Sequence, residues 1–265
     1  MEVGISTASF YPEALTEETI PLISELGVKQ IEVFLSGYSE YQMQFCKALR
    51  SEIDRYGLTV YSVHALGTQF EPQVFSPSQR QRKDSQDIFL KVFKCAQILG
   101  AKAYVFHGPA VHLNRKANID FKRAGPISDE LANLAADHGI KFSWENVSWC
   151  WFFFPEFADR ILENTKSENL FFTLDIKQAM QTGRSTFDFL EHMGERLINI
   201  HAIDFKDDKS LTLPGRGIFD FRRLHRELET LNYKGPLFME VYRSNYGNYN
   251  DLGQSLDYLR GIFSS

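Results

Sequence analysis

Apolar and polar positions alternate in blocks along this chain. Short segments rich in Val, Ile and Phe are separated by longer segments in which apolar residues recur three and four positions apart. The short segments predict eight β-strands, at residues 3–6, 30–34, 59–64, 103–107, 141–145, 170–175, 197–201 and 237–241. The longer segments predict amphipathic helices, of which the clearest cover residues 16–26, 41–56, 79–99 and 127–137.

The order of these elements predicts the fold. Strands that alternate with helices form parallel sheets, and helix-ending glycines precede several strands, as in ELGVKQIEVF and DHGIKFSWEN. Eight such units in 265 residues match a closed (β/α)8 TIM barrel in size. An open doubly wound sheet is the alternative, and it is weakened because no GxGxxG motif follows the first strand. Because no linker or low-complexity tract divides the chain, we expect a single barrel domain over residues 1–265.

Composition narrows the class of protein. Hydrophobic residues make up 43 % of the chain, which is enough for a large core, and the net charge of −5 gives no broad attraction to nucleic acid. The three cysteines are odd in number and include no CxxC pair, so we expect no disulfide framework and a cytoplasmic location. The sequence predicts neither a signal peptide nor a membrane-spanning segment.

Polar residues recur where the predicted strands end. Six of the eight strands finish at or near a histidine or a carboxylate, namely His64, His107, Glu145, Asp175, His201 and Glu240. In a (β/α)8 barrel, the carboxyl ends of the strands form the face that carries functional groups. A single residue of this kind is usually structural, but chance placement explains six of them poorly.

Side-chain alternation supports an inward orientation of these groups. If Glu145 points into the barrel, Ser143 does too, while Trp144 faces the helices. Carboxylates crowded at one rim repel each other, and a divalent cation would relieve that repulsion. Three carboxylates and one imidazole suit a single Mn²⁺, Co²⁺, Mg²⁺ or Zn²⁺ ion. The sequence therefore predicts one metal site, formed by Glu145, Asp175, His201 and Glu240.

These residues and their motifs resemble those of the xylose isomerase-like TIM barrels. This superfamily includes sugar isomerases, ketose 3-epimerases, inosose dehydratases and the endonuclease IV DNA-repair enzymes. The similarity covers most of the chain, and its specific parts are WEN (144–146), LD (174–175), HAID (201–204), ME (239–240) and LPGRGIFDF (213–221). The last motif is similar to the family's PGxGxxD loop, in which two glycines let the backbone approach a ligand closely.

The resemblance implies a role for each residue of the metal site. It implies that Glu145, Asp175, His201 and Glu240 coordinate the ion. It also implies that Glu145 and Glu240 move protons on opposite faces of a bound sugar. The ion would polarise a carbonyl and an adjacent hydroxyl, and would thereby stabilise an enediolate.

Two departures from the family pattern bear on which branch of the superfamily this chain resembles. The family often has His three residues after the Asp of strand six, whereas this chain has Gln178. Gln can hydrogen-bond a sugar hydroxyl but cannot act as an acid or base near neutral pH. The adjacent Lys177 could take a different role in the site or could be solvated, and we expect it to be solvated. The DxH motif of the DNA-repair branch is also missing, because residues 204–212 read DFKDDKSLT.

Five residues are the leading candidates for contacts with substrate. His64 and His107 match positions that bind additional metal in the repair branch, and we expect them to line the substrate pocket instead. Gln178 is expected to bind a sugar hydroxyl. A phosphate on the substrate would need a basic anchor, for which Lys206 and Arg216 are candidates and Arg243 is a further one, although each could equally be solvated.

Two further features of the sequence each allow two interpretations. Glu32, on the second strand, either faces the pocket or makes a structural hydrogen bond to a neighbouring strand. The aromatic stretch WCWFFFPEF (149–157) either stacks on a sugar or packs as a loop or a subunit interface.

The sequence and the resemblance together predict a metal-dependent sugar isomerase or epimerase. We expect proton transfer beside a carbonyl of a ketose or polyol-derived small molecule. The first alternative is an inosose dehydratase-like lyase, and the second is an endonuclease IV-like phosphodiesterase that acts on abasic DNA. A non-catalytic sugar-binding module is a third, which the complete four-residue set argues against. No nucleic-acid or membrane partner is expected, and a homo-oligomer is left open.

Overall fold

Ten strands are formed by the described residues, 1–111 and 119–263, in the computed structural model. They are β1 (Val3–Ser6), β2 (Gln30–Leu35), β3 (Thr59–Ala65), β4 (Ala103–Phe106), β5 (Lys141–Glu145), β6 (Leu170–Asp175), β7 (Leu197–Ala202), β8 (Asp204–Phe205), β9 (Leu211–Thr212) and β10 (Leu237–Met239). Eight of them, β1 to β7 and β10, pair in parallel and close into a barrel in which β10 lies between β7 and β1. β8 and β9 form a separate antiparallel pair. The predicted (β/α)8 barrel is confirmed.

Helices surround the barrel. Those of the described residues are α1 (Thr16–Glu25), α2 (Met43–Arg55), α3 (Gln79–Leu99), α4 (Phe121–Ala136), α5 (Phe157–Leu162), α6 (Ile176–Gln181), α7 (Thr186–Met193), α8 (Phe221–Thr230) and α9 (Tyr249–Phe263). Within the described part of the chain, none of these helices is both long and apolar enough to cross a membrane.

The apolar core lies between the barrel and the helices. Trp144 on β5 is fully buried, with its ring 4.5 Å from Phe106 and 5.1 Å from Phe157 of α5. Its neighbour Ser143 points the other way, and its Oγ lies 2.7 Å from Thr173 Oγ1 on β6. The alternation predicted for β5 is therefore present. It leaves large aromatic side chains outside the barrel and small polar side chains inside it.

Helix α4 begins earlier than the sequence predicts. The apolar spacing predicts a helix from residue 127, whereas the helix of the structure also contains Gly125 and Pro126, residues that usually interrupt a helix. In the structure, the Asp120 side chain caps the helix by accepting a hydrogen bond from Arg123 N at 3.2 Å. A Cβ on Gly125 would lie 1.9 Å from the carbonyl oxygen of Asn164. This glycine therefore permits close packing rather than ending the helix.

The sequence predicts no disulfide framework, and the structure contains one disulfide among the described residues. Cys46 on α2 and Cys95 on α3 form a disulfide, with their Cα atoms 5.4 Å apart, and Cys150 is free and buried. The two partners are separated by 49 residues, a spacing that carries no signature of its own. They meet because α2 and α3 pack side by side on the outside of the barrel.

Candidate metal centre

The four predicted metal ligands converge at the carboxyl ends of adjacent barrel strands. Glu145 ends β5, Asp175 ends β6, His201 lies next to Asp175 in the register of β7, and Glu240 follows β10. One ligand atom from each residue lies within 4.8 Å of the others. Glu145, Asp175 and His201 are each at most 2 % exposed. The structure thus brings together the four side chains that the sequence singled out.

Glu32 fixes the orientation of His201. Its Oε2 atom accepts hydrogen bonds from Ser62 Oγ at 2.7 Å and Asn199 Nδ2 at 3.1 Å, and it lies 3.0 Å from His201 Nε2. On the other edge of the ring, His201 Nδ1 lies 3.1 Å from Glu145 Oε1 and 2.6 Å from Glu240 Oε2. A proton on Nε2 therefore leaves Nδ1 as the nitrogen that faces the carboxylates. Glu32 combines both interpretations left open by the sequence, because it bonds neighbouring strands inside the centre.

The charged groups of the cluster and their burial shift the pKa values of Asp175, Glu240 and His201. Burial raises the pKa of Asp175 to about 7, and the nearby carboxylates of Glu145 and Glu240 add to this effect while Lys177 and His201 oppose it. Burial would also raise the pKa of Glu240, but the adjacent His201 outweighs it and lowers this pKa to about 2. The same charges raise the pKa of His201 well above its ordinary value despite its burial. Positive charge at this point is therefore strongly favoured.

Two buried carboxylate oxygens show that the donor set fits a cation. Glu145 Oε2 and Glu240 Oε2 make no hydrogen bond of acceptable geometry, although each lies close to an imidazole nitrogen. A buried carboxylate oxygen without a partner is costly. Three carboxylates and one imidazole nitrogen within 4.8 Å of one another are a suitable set for a divalent ion of hard to borderline character.

A pair of histidines borders the metal cluster at Glu145. His64 Nε2 lies 2.8 Å from His107 Nε2, and that same His107 nitrogen lies 2.8 Å from Glu145 Oε2. Burial lowers the pKa of His64, and the charge of His107 lowers it further. Burial also disfavours the charged form of His107, but Glu145 outweighs this and raises its pKa to about 9. The surroundings of the pair therefore favour the protonated form of His107 and the neutral form of His64.

Asp175 is positioned by its neighbours in the WEN and DIKQ motifs. The Asn146 side chain accepts a hydrogen bond from Asp175 N at 2.7 Å and donates one to Asp175 O at 2.9 Å. Asp175 Oδ1 accepts from Gln178 N at 2.8 Å, and Oδ2 lies 3.5 Å from Lys177 Nζ. Lys177 is only 6 % exposed. The expectation that Lys177 is solvated is wrong, because the carboxylate next to it stabilises a buried ammonium.

The three other candidates for substrate contacts differ in position. Gln178 is buried, and its Oε1 accepts hydrogen bonds from Ser148 N at 3.0 Å and Ser148 Oγ at 2.8 Å. Lys206 is exposed beside the β8–β9 hairpin. Arg216 is exposed and donates to Asp251 Oδ1 at 2.8 Å, on α9. The structure therefore places Gln178 against the centre, whereas Arg216 is engaged at the surface. Substrate contacts by all three stay predictions.

The glycines of the LPGRGIFDF loop allow close approach to a side chain of the chain itself. Buried Asp204 accepts hydrogen bonds from Gly215 N and Gly217 N, each at 3.0 Å, through Oδ2, and from Phe219 N through Oδ1. A Cβ on Gly217 would lie 2.3 Å from Asp204 Oδ1. This packing explains why glycines occupy these positions: the backbone approaches the Asp204 side chain closely. The family resemblance implied a close approach to a ligand.

The aromatic stretch after Glu145 divides into two parts. Phe152 is fully buried and stacks on Phe157 with ring centroids 4.7 Å apart. Trp149 is 38 % exposed, and its ring lies 5.9 Å from that of His107. The first part is core packing, and the second places an exposed indole beside the histidine pair.

Glu71 is a member of the site that the sequence does not reveal. Its carboxylate is 1 % exposed and accepts hydrogen bonds from His107 N at 2.9 Å, Gly108 N at 3.1 Å and the Tyr104 hydroxyl. These bonds fix the backbone that carries His107. Glu71 begins a short 3-10 helix, Glu71–Phe75, between β3 and α3, where no periodic pattern points to burial.

Comparisons with known proteins agree with this fold. A curated inosose dehydratase from Glaesserella parasuis serovar 5 (strain SH0165) is 26 % identical over 142 residues, which cover 46 % of this chain and 48 % of that relative. The match thus spans about half the length of the curated relative. A D-tagatose 3-epimerase-like protein of known structure is 23 % identical, with a TM-score of 0.82 over 100 % of this chain and 97 % of the other.

A second protein of known structure, similar in fold to this chain, was solved with a metal atom. The IOLI protein, solved with a zinc atom, is 16 % identical and has a TM-score of 0.82 over 100 % of both chains. At these identities the two structural similarities establish the fold alone. The family model of the xylose isomerase-like TIM barrel matches residues 20–262. With the barrel closed and most of its length matched, the chain belongs to the xylose isomerase-like TIM barrel family.

Proposed function

We propose that this protein is a divalent-metal-dependent sugar isomerase or epimerase. It transfers a proton at a carbon beside a carbonyl of a ketose or polyol-derived substrate. One observation carries the proposal. Glu145, Asp175, His201 and Glu240 converge, and a buried carboxylate oxygen of Glu145 and one of Glu240 lack hydrogen bonds. The epimerase-like structural neighbour supports the choice of sugar chemistry.

The metal would be bound by the same four residues. Carboxylate oxygens from Glu145, Asp175 and Glu240, with an imidazole nitrogen of His201, make up the donor set. Mn²⁺, Co²⁺, Mg²⁺ and Zn²⁺ are the candidate ions. When bound, such an ion supplies Lewis-acid polarisation of a carbonyl oxygen.

Glu145 and Glu240 are the proposed proton carriers. A general base must lie within hydrogen-bonding reach of the proton it removes, and both residues have a carboxylate oxygen with unused acceptor capacity. Glu145 also has a partner for proton exchange, because His107 Nε2 lies 2.8 Å from its Oε2. The His107 side chain is 17 % exposed, so this residue connects the buried carboxylate to the open side of the centre.

Three other side chains would orient the substrate. His64 and His107 present imidazole groups beside Glu145, and these groups can hydrogen-bond sugar hydroxyls. Gln178 accepts two hydrogen bonds from Ser148 through its oxygen, so its amide nitrogen is the donor available to a hydroxyl. A neutral amide at this position gives binding without proton transfer.

A lyase that dehydrates a keto-inositol is the second candidate function. The curated relative that matches part of the chain is an inosose dehydratase. Such a reaction begins with the same removal of a proton beside a carbonyl, and then expels a hydroxyl instead of returning the proton. The two candidates therefore share Glu145 and Glu240 and differ in the fate of the intermediate.

Incubation in D₂O with each of the four ions separates these outcomes. The substrates are D-fructose, D-tagatose, D-psicose and a keto-inositol, and the products are followed by NMR. We expect a ketose whose reacting carbon acquires deuterium. Turnover without deuterium would indicate hydride shift and contradict the proton-transfer proposal, and loss of water from the keto-inositol would favour the lyase. The cytoplasmic location and the oligomeric state stay predictions.

A further inference from the structure

Lys177 is the one lysine among the described residues that the fold buries. Its Nζ lies 3.5 Å from Asp175 Oδ2 and 3.3 Å from the Tyr242 hydroxyl. Both distances exceed the 2.7–2.9 Å or so that is usual for a charge-assisted hydrogen bond. An ammonium group has three N–H donors, and these two long contacts leave capacity for another acceptor.

Tyr242 connects this ammonium to solvent. The tyrosine is 50 % exposed, and Lys177 Nζ lies 4.9 Å from the centre of its ring. Tyr242 also lines a cavity of about 670 Å³, together with Tyr11, Arg243 and Tyr246. Arg243 forms an ion pair with Glu13 on the same wall and remains 28 % exposed. This cavity therefore has one cation, Arg243, in its wall, and a second, Lys177, in contact with its lining residue Tyr242.

The alternative explanation is that Lys177 only balances the charge of Asp175. That explanation accounts for the 3.5 Å contact. It leaves unexplained the contact between Nζ and the half-exposed phenol of Tyr242, which lines the cavity. A cation in contact with a residue that lines a cavity, near but not tightly bound to its carboxylate, is suited to a ligand oxygen that carries negative charge.

We propose that Lys177 and Tyr242 form an anion-binding subsite of the centre, and that the substrate is therefore an acidic sugar with a carboxylate or phosphate group. The inference rests on the proposed function and narrows its class of substrate. Lys177 binds the anionic group through an N–H donor, and the Tyr242 hydroxyl donates to the same group. The sugar carbons would then extend toward Glu145 and Glu240.

Three probes that differ in one terminal group test this proposal. D-gluconate, D-glucitol 6-phosphate and neutral D-glucitol are titrated calorimetrically into the Mn²⁺-loaded protein. A charged hydrogen bond typically contributes about 1.5–3 kcal/mol, so we expect at least one anion to bind about tenfold more tightly than D-glucitol. Gluconate and the phosphate distinguish the two kinds of anionic group.

Matched variants assign the preference to Lys177. Lys177→Met should reduce the anion preference to less than about threefold, with Lys177→Gln as the second variant if the first does not fold. Lys209→Met is the control, because Lys209 lies exposed in the β8–β9 turn and its loss should leave the preference unchanged.

Several results would overturn the subsite. The first is a wild-type protein that binds neither anion, or that binds the anions no more tightly than D-glucitol. The second is an anion preference that survives in Lys177→Met. The third is an equal loss of affinity for all three probes in Lys177→Met, which would assign Lys177 to Asp175 alone. The Mn²⁺ titration that precedes each experiment keeps the proposed function separate. Metal binding and ketose turnover without an anion preference would reject only the subsite, whereas a chain that binds no metal would reject the proposed function.

Discussion

Replacement of Glu32 by Gln should weaken metal binding while the barrel stays folded. Glu32 lies outside the four-residue ligand set, and its Oε2 lies against His201 Nε2, on the ring edge away from Glu145 and Glu240. Its influence acts through the proton on that nitrogen. A carboxylate that accepts the outer N–H of a metal-binding histidine fixes both the tautomer and the ring orientation.

The size of the effect follows from the hydrogen bonds at Oε2. Ser62, Asn199 and His201 all direct a donor at this one atom. Gln offers a neutral oxygen in place of a charged one, and hydrogen bonds to charged groups exceed neutral ones by about 1–2 kcal/mol. Its amide nitrogen can also turn toward His201 and donate, which would place the imidazole proton on Nδ1 and block that nitrogen as a ligand. We therefore expect affinity for Mn²⁺ or Zn²⁺ to fall about 10- to 100-fold.

Isothermal titration calorimetry of the purified apo-protein measures this change. Co²⁺ absorption spectra provide a second readout, since a purely structural role for Glu32 would not alter the geometry of the bound ion. Ser62→Ala is the matched control, because it removes a donor to the same oxygen and leaves the carboxylate beside His201. Its metal affinity should fall less than about threefold. A Glu32→Gln protein with wild-type thermal stability and affinity within a factor of two would refute this reasoning.

Four further expectations test the rest of the site and the core. Asp175→Ala and His201→Ala should each lose bound metal in elemental analysis, and full occupancy in both would reject the ligand assignment. Glu145→Gln and Glu240→Gln should fold normally but lose turnover of an identified ketose by at least about a hundredfold, so a near-normal rate would remove that glutamate from the mechanism. Trp144→Ala should destabilise the protein by about 3–5 kcal/mol in urea unfolding, because the side chain is fully buried, and a loss below about 1 kcal/mol would contradict its place in the core. Abasic duplex DNA should not be incised in the presence of Zn²⁺ or Mn²⁺, and incision that is lost in Glu145→Gln would favour the phosphodiesterase.

The strands could be predicted well because two independent signals coincide on them. β5 and β6 have the bounds that the sequence predicts, and each ends at a carboxylate. The same coincidence located Glu145 and Asp175 at the rim. At β10 the prediction and the structure differ, because the sequence predicts a strand over residues 237–241 whereas the strand ends at Met239. Residues just beyond a strand can keep its side-chain direction, as the hydrogen bond from Glu240 N to Ala202 O indicates.

Contacts between distant segments could not be predicted in this way. The sequence predicts a solvated Lys177, but the structure buries it between Asp175, two residues earlier, and Tyr242, which lies 65 residues further along the chain. The bond between Glu32 and His201 spans 169 residues, and the pairing of Cys46 with Cys95 spans 49. Local periodicity shows which face of a strand is inward, but it does not show which inward residues meet across the barrel.

The distribution of unpaired polar atoms explains why chemistry should be concentrated at one point of this barrel. Seven buried side-chain polar atoms of the described residues lack a hydrogen-bond partner. Five of them belong to the metal centre and its histidine pair, namely atoms of Glu32, His64, His107, Glu145 and Glu240. Deeper polar side chains such as Ser143 and Thr173 are fully buried but satisfy each other. Because an unpaired buried polar atom destabilises a fold, selection for stability alone would pair or remove these five. They lie on or directly after five barrel strands, β2, β3, β4, β5 and β10, and the proposed binding of an ion and a substrate would account for keeping them there.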